Sequence, residues 1–470
     1  MTAARWTLRD ALGIGEQPEL VAFVGGGGKT SLMFALADEL PGRTILTTTT
    51  RIFAAQVERA PAVAYAGDLS PLAGLLAAHG RCLVVGRVEG DKALGVLPDL
   101  PARLLARLDV DHVLVEADGS RMRPVKAPAA HEPVIPPQAT LVVPVAGIEA
   151  LAGPIDAMAH RPELIRKITD DELRIGKAER LPGSGDRLLS DEGRLTPAGL
   201  ARLLTHPLGG LKNAPGAARI IPFINKVETA EQLAAGREAA ALMLREPRVS
   251  RVVLGALHAA EPVREVWRRV TAVVLAAGES RRMGRNKLLL PWGDTTVLGR
   301  TLAHVAASSV ADGVVVTGHD RHEVEKVASQ RDLTTLFNED YRTGMLSSVQ
   351  AAIRSLPPAT EGALVMLGDQ PLVPARLIDA LLRANAASPS GLVAPAFNGR
   401  RGNPVIIDRR YFVELLALPP EAAPRALLQS HPDDLLLVEV EDDAILHDLD
   451  RPEDYERLRP RGVDGLNYRG

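Results

Sequence analysis

The sequence contains one cysteine, few lysines and no long apolar run. Because Cys82 stands alone, an internal disulfide framework and a metal site built from several cysteines are excluded. No stretch of 18 apolar residues occurs, and residues 1–9 lack the apolar core of a signal peptide. We therefore expect a cytoplasmic protein that does not enter a membrane. The 55 basic and 58 acidic residues give a formal net charge of −3, which argues against a general nucleic-acid binder.

Lysine is scarce among the basic residues, since nine are lysine and 46 are arginine. A lysine presents a compact point charge to a phosphate, whereas an arginine presents a planar fork. Lys29 and Lys287 both lie in glycine-rich turns. In a chain dominated by arginine, these two are less easily explained as surface charge and are candidates for phosphate binding.

The length of 470 residues suggests two or three domains. Short apolar runs alternate with amphipathic stretches such as 30–40 and 230–244, which is typical of a mostly parallel sheet covered by helices on both faces. The alternation of predicted strands and helices starts again at 271–275. We therefore predict two α/β domains with a boundary near 261–269 and no long linker. The predicted strands are 20–24, 44–46, 82–85, 112–115, 140–145, 220–224 and 252–254, then 271–275, 313–316, 334–337, 363–367, 392–394, 405–407 and 435–440.

The first motif follows a predicted strand and opens a predicted helix over residues 24–31. Glycines allow backbone N–H groups to converge on a phosphate, a lysine adds charge, and a threonine hydroxyl can bind Mg²⁺. The predicted nucleotide ligands are Gly26, Gly27, Gly28, Lys29 and Thr30. The complete P-loop pattern requires glycine at position 23, where this chain has Phe23. The alternative is a glycine-rich turn that binds nothing.

Two other elements of this half contribute candidate ligands. Glu116 and Asp118 follow a predicted strand, where either could hold Mg²⁺, with Asp118 preferred; the alternative is that they are turn residues. Asn225, Lys226 and Glu228 resemble the Asn-Lys-x-Asp element with which GTPases read guanine, with Glu in place of Asp. A polar loop between strand and helix explains them equally well.

The motifs of this half resemble the YqeC family through residues 25–31, 47–51, 116–128 and 131–136. The resemblance covers residues 1–266 and implies a P-loop-type α/β domain that binds GTP or ATP. The family is associated with selenium-dependent molybdenum hydroxylases, so it also implies a maturation role with an apo-hydroxylase as client. Lys126, His131 and Glu132 lie among prolines, where they form a second ligand site or brace a loop.

The second lysine motif runs from Leu275 to Lys287 and opens from a predicted buried strand. Small residues allow the backbone to wrap a nucleoside triphosphate, and Arg282 and Lys287 can neutralise charge that develops on departing pyrophosphate. The alternative is a basic surface loop. The pattern resembles the signature of MobA-like nucleotidyltransferases, which implies a Rossmann-like domain over residues 267–470.

Further segments extend this resemblance. Residues 344–349 resemble the loop beside base and sugar, 364–371 place Asp369 as a Mg²⁺ ligand, and 402–405 resemble the acceptor side. Residues 448–454 resemble the closing acidic segment, in which Asp448 or Asp450, with Asp450 preferred, supplies a second carboxylate for metal. The alternative is that Asp450 only caps a helix. The implied substrate-binding residues are Leu275, Ala276, Ala277, Gly278, Ser280, Ser347, Ser348 and Asn403.

Within this family Leu-Ala-Ala-Gly is typical of molybdenum cofactor cytidylyltransferases and Leu-Ala-Gly-Gly of guanylyltransferases. Ala277 therefore favours CTP. Its methyl group narrows the base site against a purine, and one methyl group supports about 1–3 kcal/mol of discrimination. We expect transfer of CMP from CTP to Mo-molybdopterin. The alternatives are GTP or another phosphate acceptor, a nucleotide-switched cofactor chaperone, and an adaptor regulated by guanine nucleotide.

Overall fold

The computed structural model describes residues 5–53, 57–107, 110–170, 187–331 and 333–460. Their contacts divide the chain into two compact units, with the border between Trp267 and Arg268. Trp267 donates from its indole N–H to Glu265 of the N-terminal unit. The buried guanidinium of Arg268 instead pairs with Asp408 and donates to the carbonyl of Asn385 at 2.8 Å, both in the C-terminal unit. Strand Val263–Arg268 occupies the segment in which the sequence placed the boundary.

The described residues of the N-terminal unit form one sheet of ten strands. Its order is Val263–Arg268, Arg251–Gly255, Phe223–Asn225, Leu141–Gly147, Glu19–Gly25, His112–Glu116, Thr44–Thr48, Arg81–Val85 and Val63–Tyr65, with Arg219–Ile220 also paired to Leu141–Gly147. The register of Glu19–Gly25 with both neighbours is parallel. The interior of this strand is buried on both faces, which explains why it is almost entirely apolar.

The predicted strand 220–224 is two strands, Arg219–Ile220 and Phe223–Asn225. Pro222 lies between them and has no N–H to donate to the neighbouring strand. Both short strands still pair in parallel with Leu141–Gly147. The prediction of one continuous strand was therefore wrong. The two short strands nevertheless lie one after the other along the same neighbouring strand, Leu141–Gly147.

Helices and short strands complete this unit. The helices are Leu8–Ala11, Lys29–Glu39, Leu72–His79, Leu100–Leu105, Ile155–Met158, Pro162–Asp170, Pro197–Thr205 and Ala230–Met243, with a 3-10 helix at Ile148–Leu151. Two small sheets pair Ile52–Phe53 with Lys92–Ala93 and Val88–Glu89, and Val125–Lys126 with Ala159–His160. The core packs side chains of Lys29–Glu39, such as Leu32 and Leu36, against Phe23 and Val143 of the sheet.

The described residues of the C-terminal unit form a second sheet, of eight strands. Its order is Thr334–Phe337, Asp312–Thr317, Val270–Ala276, Gly362–Leu367, Val405–Asp408, Leu392–Phe397 and Arg400–Arg401, with Leu435–Glu439 also paired to Leu392–Phe397. Val405–Asp408 is antiparallel to both neighbours. Leu392–Phe397 therefore runs in the same direction as Gly362–Leu367, and their carboxyl ends share one edge of the sheet.

This unit also contains seven described α-helices and one small hairpin. The helices are Val297–Ala306, Arg321–Ser329, Met345–Ser355, Ala375–Ala387, Phe412–Ala417, Arg425–Ser430 and Pro452–Leu458. The 3-10 helices are Arg281–Met283, Lys287–Leu289, Tyr341–Thr343, Arg409–Tyr411, Pro432–Asp434 and Asp443–Leu446, and the hairpin pairs Pro291–Trp292 with Thr295–Thr296. No described helix has the length and apolar composition that crossing a bilayer requires.

Residues 268–470 are expected to fold without the N-terminal unit, because a cut before Arg268 keeps its buried ion pair with Asp408. Arg268→Ala in this fragment should lower the free energy of unfolding by about 2–3 kcal/mol, since it removes the buried guanidinium from Asp408 and leaves only the more exposed Arg410, 3.3 Å away. The exposed pair of Arg300 with Asp294 provides the control, and Arg300→Ala should cost about 1 kcal/mol or less. Urea denaturation followed by circular dichroism measures both. A fragment without a cooperative transition would show that the unit depends on the rest of the chain.

Candidate functional site

The loop after strand Val270–Ala276 folds back so that Lys287 returns to the carboxyl edge of the sheet. Ser280 adopts a left-handed conformation, with φ of 51°, and its hydroxyl accepts the backbone N–H of Lys287 at 3.1 Å. The Asn286 side chain accepts the N–H of Leu288 at 3.0 Å and caps the short helix that begins at Lys287. Of the predicted nucleotide ligands here, Ala276 and Ala277 are buried, Leu275 is partly buried, and Gly278 is exposed.

Two carboxylates hold the Lys287 ammonium group. Asp369 follows strand Gly362–Leu367 and pairs directly with Lys287, and Asp450 Oδ1 lies 3.0 Å from Lys287 Nζ. Burial acts to lower the pKa of Lys287, but the two carboxylates outweigh it and raise that pKa above its ordinary value. The hydrogen bond from Lys287 lowers the pKa of Asp450 in turn. Lys287 is therefore a permanent cation, placed between groups from two distant segments.

Arg282 lies on the solvent side of this cluster. Its Nη1 atom is 3.3 Å from Asp450 Oδ2, and its side chain is 72% exposed. The structure thus brings the predicted residues Arg282, Lys287, Asp369 and Asp450 together in one cluster. An exposed guanidinium can move onto a ligand at small energetic cost, because an exposed ion pair is worth about 1 kcal/mol or less.

Asp450 does not cap the helix Pro452–Leu458. The N-cap residue is Arg451, whose backbone N–H donates to the Asp454 carboxylate at 3.1 Å. The interpretation of Asp450 as only a helix cap was therefore wrong. Its carboxylate faces Lys287 and Arg282 instead.

Gln370 is a further residue of this site that the sequence motifs did not indicate. Gln370 is fully buried, and its side-chain N–H donates to Asp448 Oδ1 at 2.7 Å. Desolvation, followed by the charges of Asp369 and Asp450, raises the pKa of Asp448, and the hydrogen bond from Gln370 opposes that rise. The sequence signal that could have indicated Gln370 is its position directly after Asp369, where a buried strand passes into a loop.

The other predicted substrate residues occupy two separate places. Asn338 donates from its side chain to the hydroxyls of Ser347 at 2.9 Å and Ser348 at 3.0 Å, which fixes the start of helix Met345–Ser355. Asn403 lies further along the sheet, where its backbone N–H donates to the carbonyl of Ile445 at 3.4 Å. The bonding role of Asn338 follows from the structure.

The donor set around Lys287 suits a hard cation. Among the described residues, no three His, Cys, Asp or Glu side chains are grouped to hold a metal ion. Mg²⁺ commonly binds through one or two carboxylates, with water and substrate phosphates completing its coordination. Asp369 and Asp450 match that requirement, because they offer two carboxylates at the edge where the glycine turn ends.

The glycine loop of the N-terminal unit turns from strand Glu19–Gly25 into helix Lys29–Glu39. Gly27 and Gly28 have φ values of 71° and 121°, in the left-handed region that L-residues rarely adopt. A side chain at Gly27 would collide with the backbone of Gly147, and one at Gly28 would collide with the Asn225 amide. The loop requires glycine at both positions for conformation and for space.

Lys29 is buried and its ammonium group is engaged by the protein itself. It donates to the Gly25 carbonyl at 2.6 Å and lies 3.2 Å from Asp118 Oδ1 and 3.9 Å from Glu116 Oε1. Asp118 also accepts the Gly25 N–H, and the Thr30 hydroxyl donates to Glu116 at 2.6 Å. Burial raises the pKa of Glu116, and Lys29 and Thr30 oppose that rise.

Lys126 extends this network away from the glycine loop. Its fully buried ammonium group lies 3.2 Å from Asp118 Oδ2 and 2.8 Å from Glu132 Oε2, and Arg161 lies 2.6 Å from the same Glu132 oxygen. Burial acts to raise the pKa of Glu132, but the hydrogen bonds from Lys126 and Arg161 outweigh it and lower that pKa from 4.5 to about 2. Lys126 and Glu132 thus brace this segment, while His131 is exposed.

Of the GTPase-like residues, Asn225 alone contacts the glycine loop through a described hydrogen bond. Its side-chain N–H donates to the Gly27 carbonyl at 2.8 Å, and its side-chain oxygen accepts the Leu257 N–H at 3.3 Å. Lys226 has a φ of 63° and pairs with Glu149, whereas Glu228 is exposed just before helix Ala230–Met243. The three residues are neighbours in sequence but have different surroundings.

Two family models match the chain, one in each half. The YqeC protein model matches residues 21–163, and the MobA-like NTP transferase domain model matches residues 272–435. The Escherichia coli (strain K12) protein described as "Uncharacterized protein YqeC" is 31% identical over 231 residues, which are 48% of this chain and 83% of that protein. The "Molybdenum cofactor cytidylyltransferase" of the same strain is 30% identical over 194 residues, 41% of this chain and 96% of that protein.

A solved structure is also similar to part of the chain. It is the crystal structure of a Mycobacterium tuberculosis rv0371c homologue from Mycobacterium sp. strain JC1. The two chains are 34% identical, and the match covers 40% of this chain and 94% of that one, with a TM-score of 0.38.

Acid should destabilise the N-terminal unit through Glu132. Because the folded-state pKa of Glu132 is about 2, its stabilisation is complete above about pH 4.5 and is lost as the pH falls toward 2. Glu132→Gln should remove on the order of 2 kcal/mol of this acid-dependent change between pH 5 and 3. Chemical denaturation of the full chain at each pH measures it, with the exposed Glu238→Gln as control. Equal pH dependence in both variants would refute the assigned role of Glu132.

Proposed function

Because the chain belongs to the YqeC family through its N-terminal part and to the MobA-like NTP transferase family through its C-terminal part, we propose that it transfers CMP from CTP to Mo-molybdopterin. The second membership makes the chain a nucleotidyltransferase. CTP, the pterin acceptor and the individual site residues belong to the proposal. The acceptor comes from the printed activity of the Escherichia coli relative, nearly all of whose length this chain matches.

The observation that carries the proposal is the position of Lys287 between Asp369 and Asp450. Ligands of open α/β sheets bind at the carboxyl ends of the strands. A permanent cation there, next to a turn of small residues, suits a triphosphate. The exposed Arg282 adds a second charge at the same point.

In the proposed reaction, an oxygen of the acceptor's terminal phosphate attacks the α-phosphorus of CTP in line. A new P–O bond forms, the bond between the α-phosphorus and the bridging oxygen breaks, and pyrophosphate leaves with that oxygen. The attacking phosphate is already ionised, so no side-chain nucleophile or base is required. Lys287 and Arg282 bind the oxygens on which negative charge accumulates, and the turn holds the nucleotide in position.

Asp369 and Asp450 would hold the Mg²⁺ of the bound nucleotide. When bound, the ion neutralises phosphate charge and polarises the phosphoryl oxygen. Both carboxylates pair with Lys287, which holds them at the same edge of the sheet as the proposed phosphate site. Gln370 orients Asp448 beside them, and burial together with the neighbouring carboxylates raises the pKa of Asp448.

CTP is preferred in this proposal because Ala277 is buried at the end of the nucleotide strand. Its carbonyl accepts the N–H of His319 at 3.2 Å, which fixes the backbone that carries the methyl group. A side chain held in this way narrows the base site, although one methyl group supports only modest discrimination against a purine.

For the N-terminal unit we propose nucleotide binding, by GTP or ATP, in the maturation of a molybdenum hydroxylase. The supporting observation is the contact of Asn225 with the glycine loop that carries Lys29. A phosphate entering this loop would compete with Asp118 for the Lys29 ammonium group. The resulting exchange would link nucleotide binding to the network through Lys126.

The proposed function is tested by incubating the purified chain with Mo-molybdopterin, Mg²⁺ and each of CTP, GTP, ATP and UTP. Mass analysis of the pterin product should find the cytosine dinucleotide, with equimolar pyrophosphate. A guanine dinucleotide would contradict the role of Ala277. Cofactor that binds and passes to an apo-hydroxylase without pyrophosphate release would favour a chaperone instead.

Asp369→Asn should abolish transfer and leave the fold intact, because the amide keeps the shape of the side chain and loses the charge that binds Mg²⁺ and Lys287. Pyrophosphate release at saturating CTP measures the effect, and circular dichroism checks the fold. The exposed Asp433→Asn is the matched control and should behave as wild type. Near-normal turnover of Asp369→Asn at high Mg²⁺ would exclude it as a metal ligand.

Lys287→Ala should reduce the rate by on the order of 10²–10³, as the loss of one preorganised charged donor does. Lys287→Arg should restore only part of the rate, since a planar fork cannot take the position of an ammonium group between two carboxylates. Steady-state kinetics with CTP compares the variants. Complete rescue by arginine would show that only the charge at this position matters.

Lys29→Ala should weaken nucleotide binding by the N-terminal unit and leave pyrophosphate release from CTP nearly unchanged. Lys29 and Lys287 belong to different sheets, and each is held by carboxylates of its own unit. Equilibrium binding of labelled GTP or ATP and the CTP assay are measured on the same preparations. Loss of CMP transfer in Lys29→Ala would instead make the N-terminal site a control element of the transferase.

A further inference from the structure

A pocket of about 320 Å³ lies in the C-terminal unit, apart from the cluster around Lys287. Its lining comes from the end of strand Leu392–Phe397 and from the short helix Asp443–Leu446 with the residue that follows it. The lining residues are Phe397, Asn398, Arg400, Asp443, Leu446 and His447. It combines an aromatic ring, an aliphatic side chain, a carboxylate, an imidazole and a guanidinium, which suits a planar polar ligand.

The strand register places this pocket at the edge of the sheet that carries Asp369. Ala363 and Leu392 both lie opposite Ile407, one on each side of it. A residue a given number of positions after Ala363 is therefore level with the residue the same number of positions after Leu392. Leu367 is therefore level with Ala396, and Asp369 and Asn398 each lie two residues further along, after strands that run in the same direction. Two strand spacings separate them, which is about 10 Å. A ligand with one end at Asp369 could place its other end in the pocket.

One short segment joins the pocket to the carboxylate cluster. Asp443 and His447 line the pocket, Asp448 is held by Gln370, and Asp450 pairs with Lys287. The Asn403 backbone donates to the Ile445 carbonyl within the same segment, which brings the expected acceptor loop to the pocket wall. The segment 443–450 thus spans the distance from pocket to phosphate site.

The pocket carboxylate is accessible and oriented. Asp443 is 54% exposed, and its Oδ2 atom lies 2.9 Å from Nε2 of His447, a residue of the pocket wall. The pyrimidine ring of a pterin presents a ring N–H and an exocyclic amino group side by side. A carboxylate accepts two such parallel N–H donors in a bidentate pair. Phe397 and Leu446 provide apolar surface for the ring faces.

We propose that this pocket binds the pterin ring of the acceptor and that Asp443 recognises its 2-amino-4-oxopyrimidine edge. The inference rests on the proposed function, because the terminal phosphate of the same acceptor must reach Asp369. It adds a specificity-determining residue that the nucleotide motifs do not contain. Guanine carries the same donor edge, so the test must separate pterin from guanine.

Binding is tested on the full chain by fluorescence titration with neopterin, a pterin without phosphate or metal. Asp443→Asn should weaken binding by tenfold or more, since a bidentate pair commonly discriminates by that amount. Leu446→Trp, which fills the pocket and keeps the carboxylate, should weaken it as well. Asp294→Asn changes an exposed carboxylate paired with Arg300 and should bind neopterin like wild type. Guanosine is titrated in parallel and should bind at least tenfold more weakly than neopterin.

Neopterin that fails to bind the wild-type chain at millimolar concentration, or binds all variants equally, would overturn the proposal. Guanosine that binds as tightly as neopterin would replace it with a purine site. Transfer to Mo-molybdopterin is measured separately as pyrophosphate release. Asp443→Asn should raise the KM for the acceptor by tenfold or more and leave the KM for CTP unchanged. Absence of transfer in the wild type would refute the proposed function, while the neopterin titration would still decide the pocket.

Discussion

The ion pairs of Lys287 with Asp369 and Asp450 are the constraint on which the C-terminal unit's candidate site depends. Three segments far apart in sequence must meet for these contacts to form: the glycine turn, the loop after strand Gly362–Leu367, and the segment before helix Pro452–Leu458. The parallel strands make this possible, because their carboxyl ends open at one edge. The ammonium group then stabilises two carboxylates that would otherwise repel each other.

The N-terminal unit uses the same physical arrangement with deeper burial. Lys29 also leaves a glycine loop and is held by carboxylates that follow a neighbouring strand, here Glu116 and Asp118. Asp118 is shared with Lys126, so the charge balance continues to Glu132 and Arg161. In both units a lysine and its carboxylates satisfy each other. A phosphate could bind the lysine only by replacing one of these carboxylates. The P-loop character of the N-terminal unit remains a prediction.

The sequence predicted most long strands and the lysine-bearing turns, because apolar runs and glycine patterns are local signals. It could not predict which strands are neighbours, and therefore it could not predict that Asp450 contacts Lys287. The alternative that Asp450 only caps a helix was wrong. Two-residue strands such as Val125–Lys126 carry no periodicity and were missed. Gln370 was missed because its importance arises from one long-range hydrogen bond, and the pocket at Asp443 because separate segments form it.

The most direct test of this account follows the Lys287 side chain when nucleotide binds. With nine lysines in the chain, selective ¹³C labelling of lysine gives a small set of NMR signals, and Lys287→Arg assigns the one of interest. CTP with Mg²⁺ should move the Lys287 signal, because the ammonium group exchanges a carboxylate for a phosphate, and Asp369→Asn should move the signal without ligand. A Lys287 signal unchanged at saturating CTP and Mg²⁺ would show that this lysine does not bind the nucleotide.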